Sequence, residues 1–181
     1  AVVIEACTAL IDLFSTPATG TRLQTPEDRE QLAQSFVFRA MAWTRFGNLD
    51  QAQSDYDAAL ELLPNRPSLL RHRCIFHIIT NREVDRGMAD CVHWQSQNPR
   101  SSEALAWEGF ARLRRGEFEI ATERFNAALA LAEDNFGALY GRGLARAKMG
   151  SAQDGERDIA TAIEKDEALE RVVIETIRLG I

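Results

Sequence analysis

Cysteine, proline and tyrosine are scarce in this chain, and long apolar runs are missing. Three cysteines, Cys7, Cys74 and Cys91, in 181 residues are too few and too scattered for a disulfide framework, which excludes a small cross-linked scaffold and leaves the redox compartment open. No apolar run approaches the roughly 20 residues that cross a bilayer, so no membrane-spanning helix is expected. Lys and Arg number 21 against 27 Asp and Glu, a formal charge of -6, and this works against general affinity for nucleic acid or anionic lipid. Neutral or basic partners are favoured unless charge is segregated along the chain. The sequence opens at Ala1 with neither Met nor a basic, apolar leader, so a processed or trimmed chain is expected. Catalytic signatures are missing too. There is no G-x-S-x-G elbow, no H-E-x-x-H and no phosphate loop, and "YGRGLARAKMG" has Arg146 where a dinucleotide fingerprint needs its third Gly. Carboxylate pairs such as Asp55 and Asp57 read as a solvated helix face, so neither an enzyme nor a cofactor is expected.

What the chain does have is Ala, Leu, Glu, Arg and Gln in long stretches between Gly, Asn and Pro, with little strand alternation, the pattern of a nearly all-helical protein. Placing Gly47 over Gly116 and Gly150 aligns "FGNLDQAQSDYDAALELLPN", "RGEFEIATERFNAALALAEDN" and "MGSAQDGERDIATAIEKDEA", the last two at a spacing of 34. Each Gly suits a left-handed helix end and leads into a helix with apolar residues three and four apart. Upstream of each lies another amphipathic stretch, "LAQSFVFRAMAWTRF", "SSEALAWEGFARLRR" or "FGALYGRGLARAKM", so the unit is a helical hairpin. Ala40, Gly109 and Gly143 on the first helices and Ala52, Ala121 and Gly155 on the second let the backbones approach, while Tyr56, Phe125 and Ile159 fill the wider gap one turn on. A lone hairpin cannot cover its apolar surface, so the units must stack.

"LLRHRCIFHIITNREVDRGMADCVHWQSQNP" follows the same plan if its turn carries one extra residue, with Asn81 in the Gly position, Cys74 and Gly87 in the small places and Cys91 in the aromatic's place. It alone is net positive, through Arg71, Arg73, Arg82, Arg86 and Arg100 against Glu83, Asp85 and Asp90. "VIEACTALIDLF" reads as the second helix of a half unit, with Cys7 in the aromatic's place. After the connector "STPATGTRLQTPEDRE", Thr25 followed by Pro26, Glu27 and Asp28 is a strong helix start: a hydroxyl cap, a Pro suited to the first turn, and carboxylates at the positive end of the dipole. "ALERVVIETIRLGI" reads as a buried terminal helix.

The 34-residue period, the small residues facing across a hairpin, the aromatic one turn on and Pro64 or Pro99 closing a unit together resemble the tetratricopeptide repeat, over about residues 33 to 169. The first unit matches best, through Phe36, Ala40, Trp43, Gly47, Ala52, Tyr56, Ala59 and Pro64. Departures are Arg39, Glu108 and Arg142 for an aliphatic residue, Arg112 and Arg146 for an aromatic, and Glu133 and Glu167 for the closing Pro. The resemblance implies an all-α, right-handed superhelix (α-solenoid) of antiparallel hairpins. Its parts would be a half-repeat helix and connector at 1–32, units at 33–66, 67–101, 102–135 and 136–169, and a capping helix at 170–181. The half unit at the start is similar to bacterial members of the family, many of them exported, so a periplasmic or otherwise exported location is expected, with the cytoplasm as the alternative.

In this family the first helix of each unit lines a concave, peptide-binding face. Carried over place by place, that groove comprises Val37, Met41 and Arg45, then Arg71, Ile75 and Ile78, then Phe110, Leu113 and Arg114, then Tyr140, Leu144 and Lys148. It would suit an extended or helical peptide with apolar anchors and acidic groups; the alternative for several of these residues is packing against the next unit. The Lys-Asn pair of chaperone-tail binders is absent, since Val37 with Met41 and Arg71 with Ile75 occupy those places. Cys74 with His77 and Cys91 with His93 invite a zinc site. Residues two apart on a regular helix point about 200° apart, however, so Cys91 and His93 cannot face one ion, and no metal is expected. Cys74 and Cys91 are left between two small buried thiols and a disulfide across one hairpin. The functional expectation is a non-enzymatic interaction module; the alternative is a self-assembling protein, such as a homodimer, built through the terminal helices.

Overall fold

The computed structural model describes residues 2–15 and 25–166; the connector at 16–24 and the helix expected at 170–181 lie outside the described residues. Among the described residues there are nine helices and no strand: α1 (Val2–Ser15), α2 (Pro26–Arg45), α3 (Leu49–Leu62), α4 (Pro67–Thr80), α5 (Val84–Gln97), α6 (Ser102–Arg114), α7 (Phe118–Leu131), α8 (Phe136–Lys148) and α9 (Ala152–Lys165). The chain forms two compact units, 1–76 and 77–181, divided inside α4.

In the first unit α2 packs on both α1 and α3. The start of α2 is a capping box: Thr25 Oγ1 accepts from the Asp28 amide at 3.0 Å, and an Asp28 carboxylate oxygen accepts from the Thr25 amide at 3.1 Å. Ala40 and Ala52 are fully buried, as is Ala59, so α2 and α3 meet through small side chains, and the Tyr56 ring lies 5.1 Å from that of Phe76. Cys7 is a buried free thiol of α1, its pKa pushed up by burial. In the second unit α5 packs on α6, α6 on α7 and α8, and α8 on α7 and α9. Phe125 is fully buried at the centre of this core, beneath Gly109 and Gly141 and edge-on to Phe110 at 5.1 Å.

The turns repeat in backbone detail. Gly47, Gly116 and Gly150 have φ of 78°, 75° and 88°, the left-handed region a side chain disfavours. Past each, an amide reaches back five residues: Asn48 to the Trp43 carbonyl at 2.9 Å, Glu117 to Arg112 at 3.0 Å and Ser151 to Arg146 at 3.0 Å. This is the closure that satisfies the last carbonyls of a helix. Asn81, at φ 52°, takes the same place, with the Arg82 amide on the His77 carbonyl at 3.1 Å. The extra residue of that turn is Glu83, itself left-handed at φ 44°.

The charged departures from the repeat pattern have a common structural cause. Arg39, Glu108 and Arg142 each meet, across their hairpin, the residue 16 positions later. Arg39 grips Asp55 with Nε and Nη2 at 2.8 and 2.7 Å, Arg142 grips Asp158 the same way at 2.7 and 2.8 Å, and in the α6–α7 hairpin the signs reverse, with Glu108 3.1 Å from Arg124. All three carboxylates are buried, which corrects the expectation of a solvated face for Asp55: it turns inward to Arg39. Arg112 and Arg146, which stand where an aromatic is usual, join these clusters, Arg112 to Glu108 at 3.5 Å, with Glu117 as a further partner at 2.7 Å, and Arg146 to Asp158 at 2.7 Å.

Candidate functional site

Within residues 1–76, α2 presents Phe38, Met41 and Arg45, three and seven residues apart and so on one helical face, with Phe38 50% and Met41 43% exposed. Val37, the predicted neighbour, is buried and serves packing. Arg45 is exposed and makes no hydrogen bond or ion pair with any described residue. On α4, Arg71 and Ile75 are half-buried.

Within residues 77–181, a cavity of about 220 Å³ is lined by Asn81, Leu113, Arg114, Gly116, Phe118, Leu144 and Lys148. The helix ends and turns of three successive hairpins build it: the α4–α5 turn supplies Asn81, the end of α6 supplies Leu113 and Arg114, the turn and start of α7 supply Gly116 and Phe118, and α8 supplies Leu144 and Lys148. Four predicted groove residues therefore meet at one place. Leu113 is buried and forms part of the apolar wall, Leu144 and Arg114 are half-buried, and Lys148 is exposed. Of the remaining positions, Ile78 and Tyr140 are buried and Phe110 is half-buried between Phe125 and Trp107, its ring 5.4 Å from Trp107. Burial raises the Tyr140 pKa.

Arg114 donates from Nε to the Ile78 carbonyl at 3.1 Å and from Nη2 to the Ile79 carbonyl at 3.5 Å, tying down the last turn of α4. No carboxylate among the described residues pairs with it, and burial lowers its pKa, the mark of a guanidinium stripped of water without an anion in return. Lys148 likewise meets no carboxylate among the described residues. The neighbouring Arg115, by contrast, is neutralised by Asp85 and Glu117.

The metal-like cluster resolves differently. Cys74 and Cys91 are disulfide-bonded. His77 is fully buried; its Nδ1 lies 3.0 Å from the Arg82 carbonyl, an acceptor, so Nδ1 carries the proton, and burial lowers the pKa and keeps the ring neutral. His93 is exposed and meets Gln97 at 2.9 Å. No cluster of three or more His, Cys, Asp or Glu suited to a metal occurs among the described residues.

No protein-family model matches the chain, and no curated protein does. Solved structures do match. One described as MamA superposes with a TM-score of 0.66 at 13% identity, covering 92% of this chain and 90% of that one. MamA of AMB-1 gives 0.64 at 17% identity over 92% and 96%, and residues 41 to the end of MamA from Desulfovibrio magneticus RS-1 give 0.64 at 11% over 92% and 96%. These are tetratricopeptide-repeat solenoids. The chain has the tetratricopeptide-repeat fold. At such identities the likeness is one of fold, and side-chain chemistry has to be read from this chain alone.

The exposed face of α2 and the cavity include residues that sequence reasoning did not assign to a binding site. Phe38 was legible as a second apolar face, because it precedes Met41 by three. Asn81, Gly116 and Phe118 lie in or beside the turns, where a pattern of helix positions carries no signal for a lining residue. No helix among the described residues is long and apolar enough to cross a membrane.

Proposed function

We propose that the chain is a non-enzymatic protein-interaction module of four units, 33–66, 67–101, 102–135 and 136–169, whose first helices take a segment of another protein. The segment is extended or helical, apolar at its anchors and acidic between them. One observation carries this reading. None of the predicted groove positions is acidic although the whole chain carries 27 carboxylates against 21 cations, and those with exposed or half-buried side chains are apolar or cationic. Exposed apolar residues beside cations such as Arg45 and Lys148, which meet no carboxylate among the described residues, are complementary to such a peptide.

Arg45 and Lys148 are the cleanest probes, since neither holds another part of the fold, whereas Arg114 secures α4. Panning a random peptide library on the purified chain is expected to enrich sequences with Asp or Glu beside apolar residues. An Arg45→Glu, Lys148→Glu variant should lose at least ten-fold in affinity for them while keeping its helical circular-dichroism spectrum. Undiminished binding by the variant, or no acidic enrichment, would count against the groove. The bonded state of Cys74 and Cys91 supports an oxidising compartment such as the periplasm. Alkylation of all three cysteines in denatured chain taken directly from its source, without reduction, would overturn that location.

A further inference from the structure

We infer that the cavity in residues 77–181 recognises a carboxylate side chain, Asp or Glu, next to an apolar side chain in a partner's segment, with Leu113, Leu144 and Phe118 holding the apolar group and Arg114, Lys148 and Asn81 the acid. This rests on the interaction reading above and names the chemistry of one place within it. Its volume of about 220 Å³ lies below the range of roughly 300–1,000 Å³ typical of cofactor and drug-sized ligand sites, so one or two side chains fit where a nucleotide does not. Arg114 uses two of its five N–H groups on the Ile78 and Ile79 carbonyls, which fixes the guanidinium plane and leaves donors available to an incoming acid. A carboxylate there replaces the missing counter-ion of a partly desolvated cation, and charge-assisted bonds of this kind are about twice as strong as neutral ones. Lys148 adds three more donors on a flexible stem, and Asn81 is held at the rim by its left-handed turn. The apolar half of the lining disfavours a free, fully hydrated anion and demands a hydrophobic neighbour of the acid.

Four blocked peptides in one Gly-Gln background, centred on Leu-Asp-Leu, Leu-Asn-Leu, Ser-Asp-Ser and Ser-Asn-Ser, test this against the full chain. Methyl resonances of Leu113 and Leu144 report the site, and inorganic phosphate is titrated separately. Leu-Asp-Leu should shift both methyls and bind about ten-fold or more tightly than Leu-Asn-Leu and Ser-Asp-Ser. Lys148→Met should erase most of the Asp preference, and Lys148→Arg should retain it. Equal affinities for Asp and Asn peptides, or phosphate binding as tightly as Leu-Asp-Leu, would overturn the assignment. If Leu-Asp-Leu instead shifts Met41 or Ile75 and leaves Leu113 and Leu144 unmoved, this site falls and the interaction module stands. If no peptide shifts any methyl, both fall.

Discussion

Asp55→Ala is expected to destabilise the first unit by about 3–5 kcal/mol, far more than the loss of one surface ion pair. The reason is the guanidinium left behind. Arg39 reaches Asp55 through two bonds of 2.8 and 2.7 Å and Thr8 through a third of 3.1 Å, and the side chains are only 18% and 6% exposed. The bond to Asp55 is the chief cause of the raised Arg39 pKa, but a guanidinium stays protonated without such help, so the cation persists when the carboxylate goes. The place of Arg39 is one where the repeat tolerates an aliphatic residue, and this gives the complementary arm. Arg39→Leu with Asp55→Leu should recover most of the stability lost in Asp55→Ala, because removing both charges also removes both desolvation costs. Urea unfolding of the wild type, Asp55→Ala and the double variant at low and high salt provides the measurement. A single-variant cost below about 1 kcal/mol, or one that vanishes in salt, would show the pair to be an ordinary surface contact.

The sign reversal in the third hairpin gives these pairs a second consequence. Helix α6 facing α9 instead of α7 would set Glu108 against Asp158, and α8 facing α7 at the same register would set Arg142 against Arg124. Like charges in a buried place cost more than a missing contact, so the reversal penalises exchange of helices between the α6–α7 hairpin and the α2–α3 or α8–α9 hairpin. Similar repeats invite such exchange. A uniform aliphatic pair in every unit would carry no such discrimination.

The period was legible because its signals are local and obey one rule each: a Gly in the left-handed region at 47, 116 and 150, a Thr-Pro-Glu-Asp start at 25 to 28, and small residues where helices touch. Arg39, Glu108 and Arg142 looked like flaws for the opposite reason. Each is explained by a partner 16 residues away, and a pattern that scores positions one at a time cannot see a pair. Which of the expected groove positions are exposed was less legible. Val37 and Phe38 are adjacent and both apolar, and which is buried depends on how α1 and α3 pack around α2. Arg114 was readable as a cation, but its bonds to Ile78 and Ile79 depend on the α4–α5 turn, whose extra left-handed residue, Glu83, follows no rule of the repeat.

Gly143→Ala is expected to loosen the last hairpin by about 2 kcal/mol or more, although Ala is the better helix former by about 1 kcal/mol. A Cβ at 143 would sit 2.7 Å from the Gly155 carbonyl oxygen and 2.7 Å from Ile159 Cγ1, with the Ile159 amide nitrogen at 3.1 Å. Two of those three atoms are backbone, so relief comes from moving α9 bodily and not from turning a side chain. Gly155→Ala meets the same wall from the other side, 2.6 Å from the Gly143 oxygen and 3.0 Å from the Ala147 nitrogen. The two changes should not add. Once the helices are held apart by one methyl the second finds part of its space made, so the double variant should cost clearly less than the sum. Gly137→Ala is the control, because its Cβ meets nothing nearer than Asn135 Oδ1 at 3.5 Å, and it should be neutral or slightly stabilising. Because a stack of repeats can open in parts, amide hydrogen exchange is the proper readout. Protection in α8 and α9 should fall about 30-fold in Gly143→Ala, the equivalent of about 2 kcal/mol, while that in α2 and α3 holds. Unchanged protection in α9 would mean that the hairpin absorbs a methyl at its tightest point, and close backbone contact would then not be what places Gly at 143 and 155.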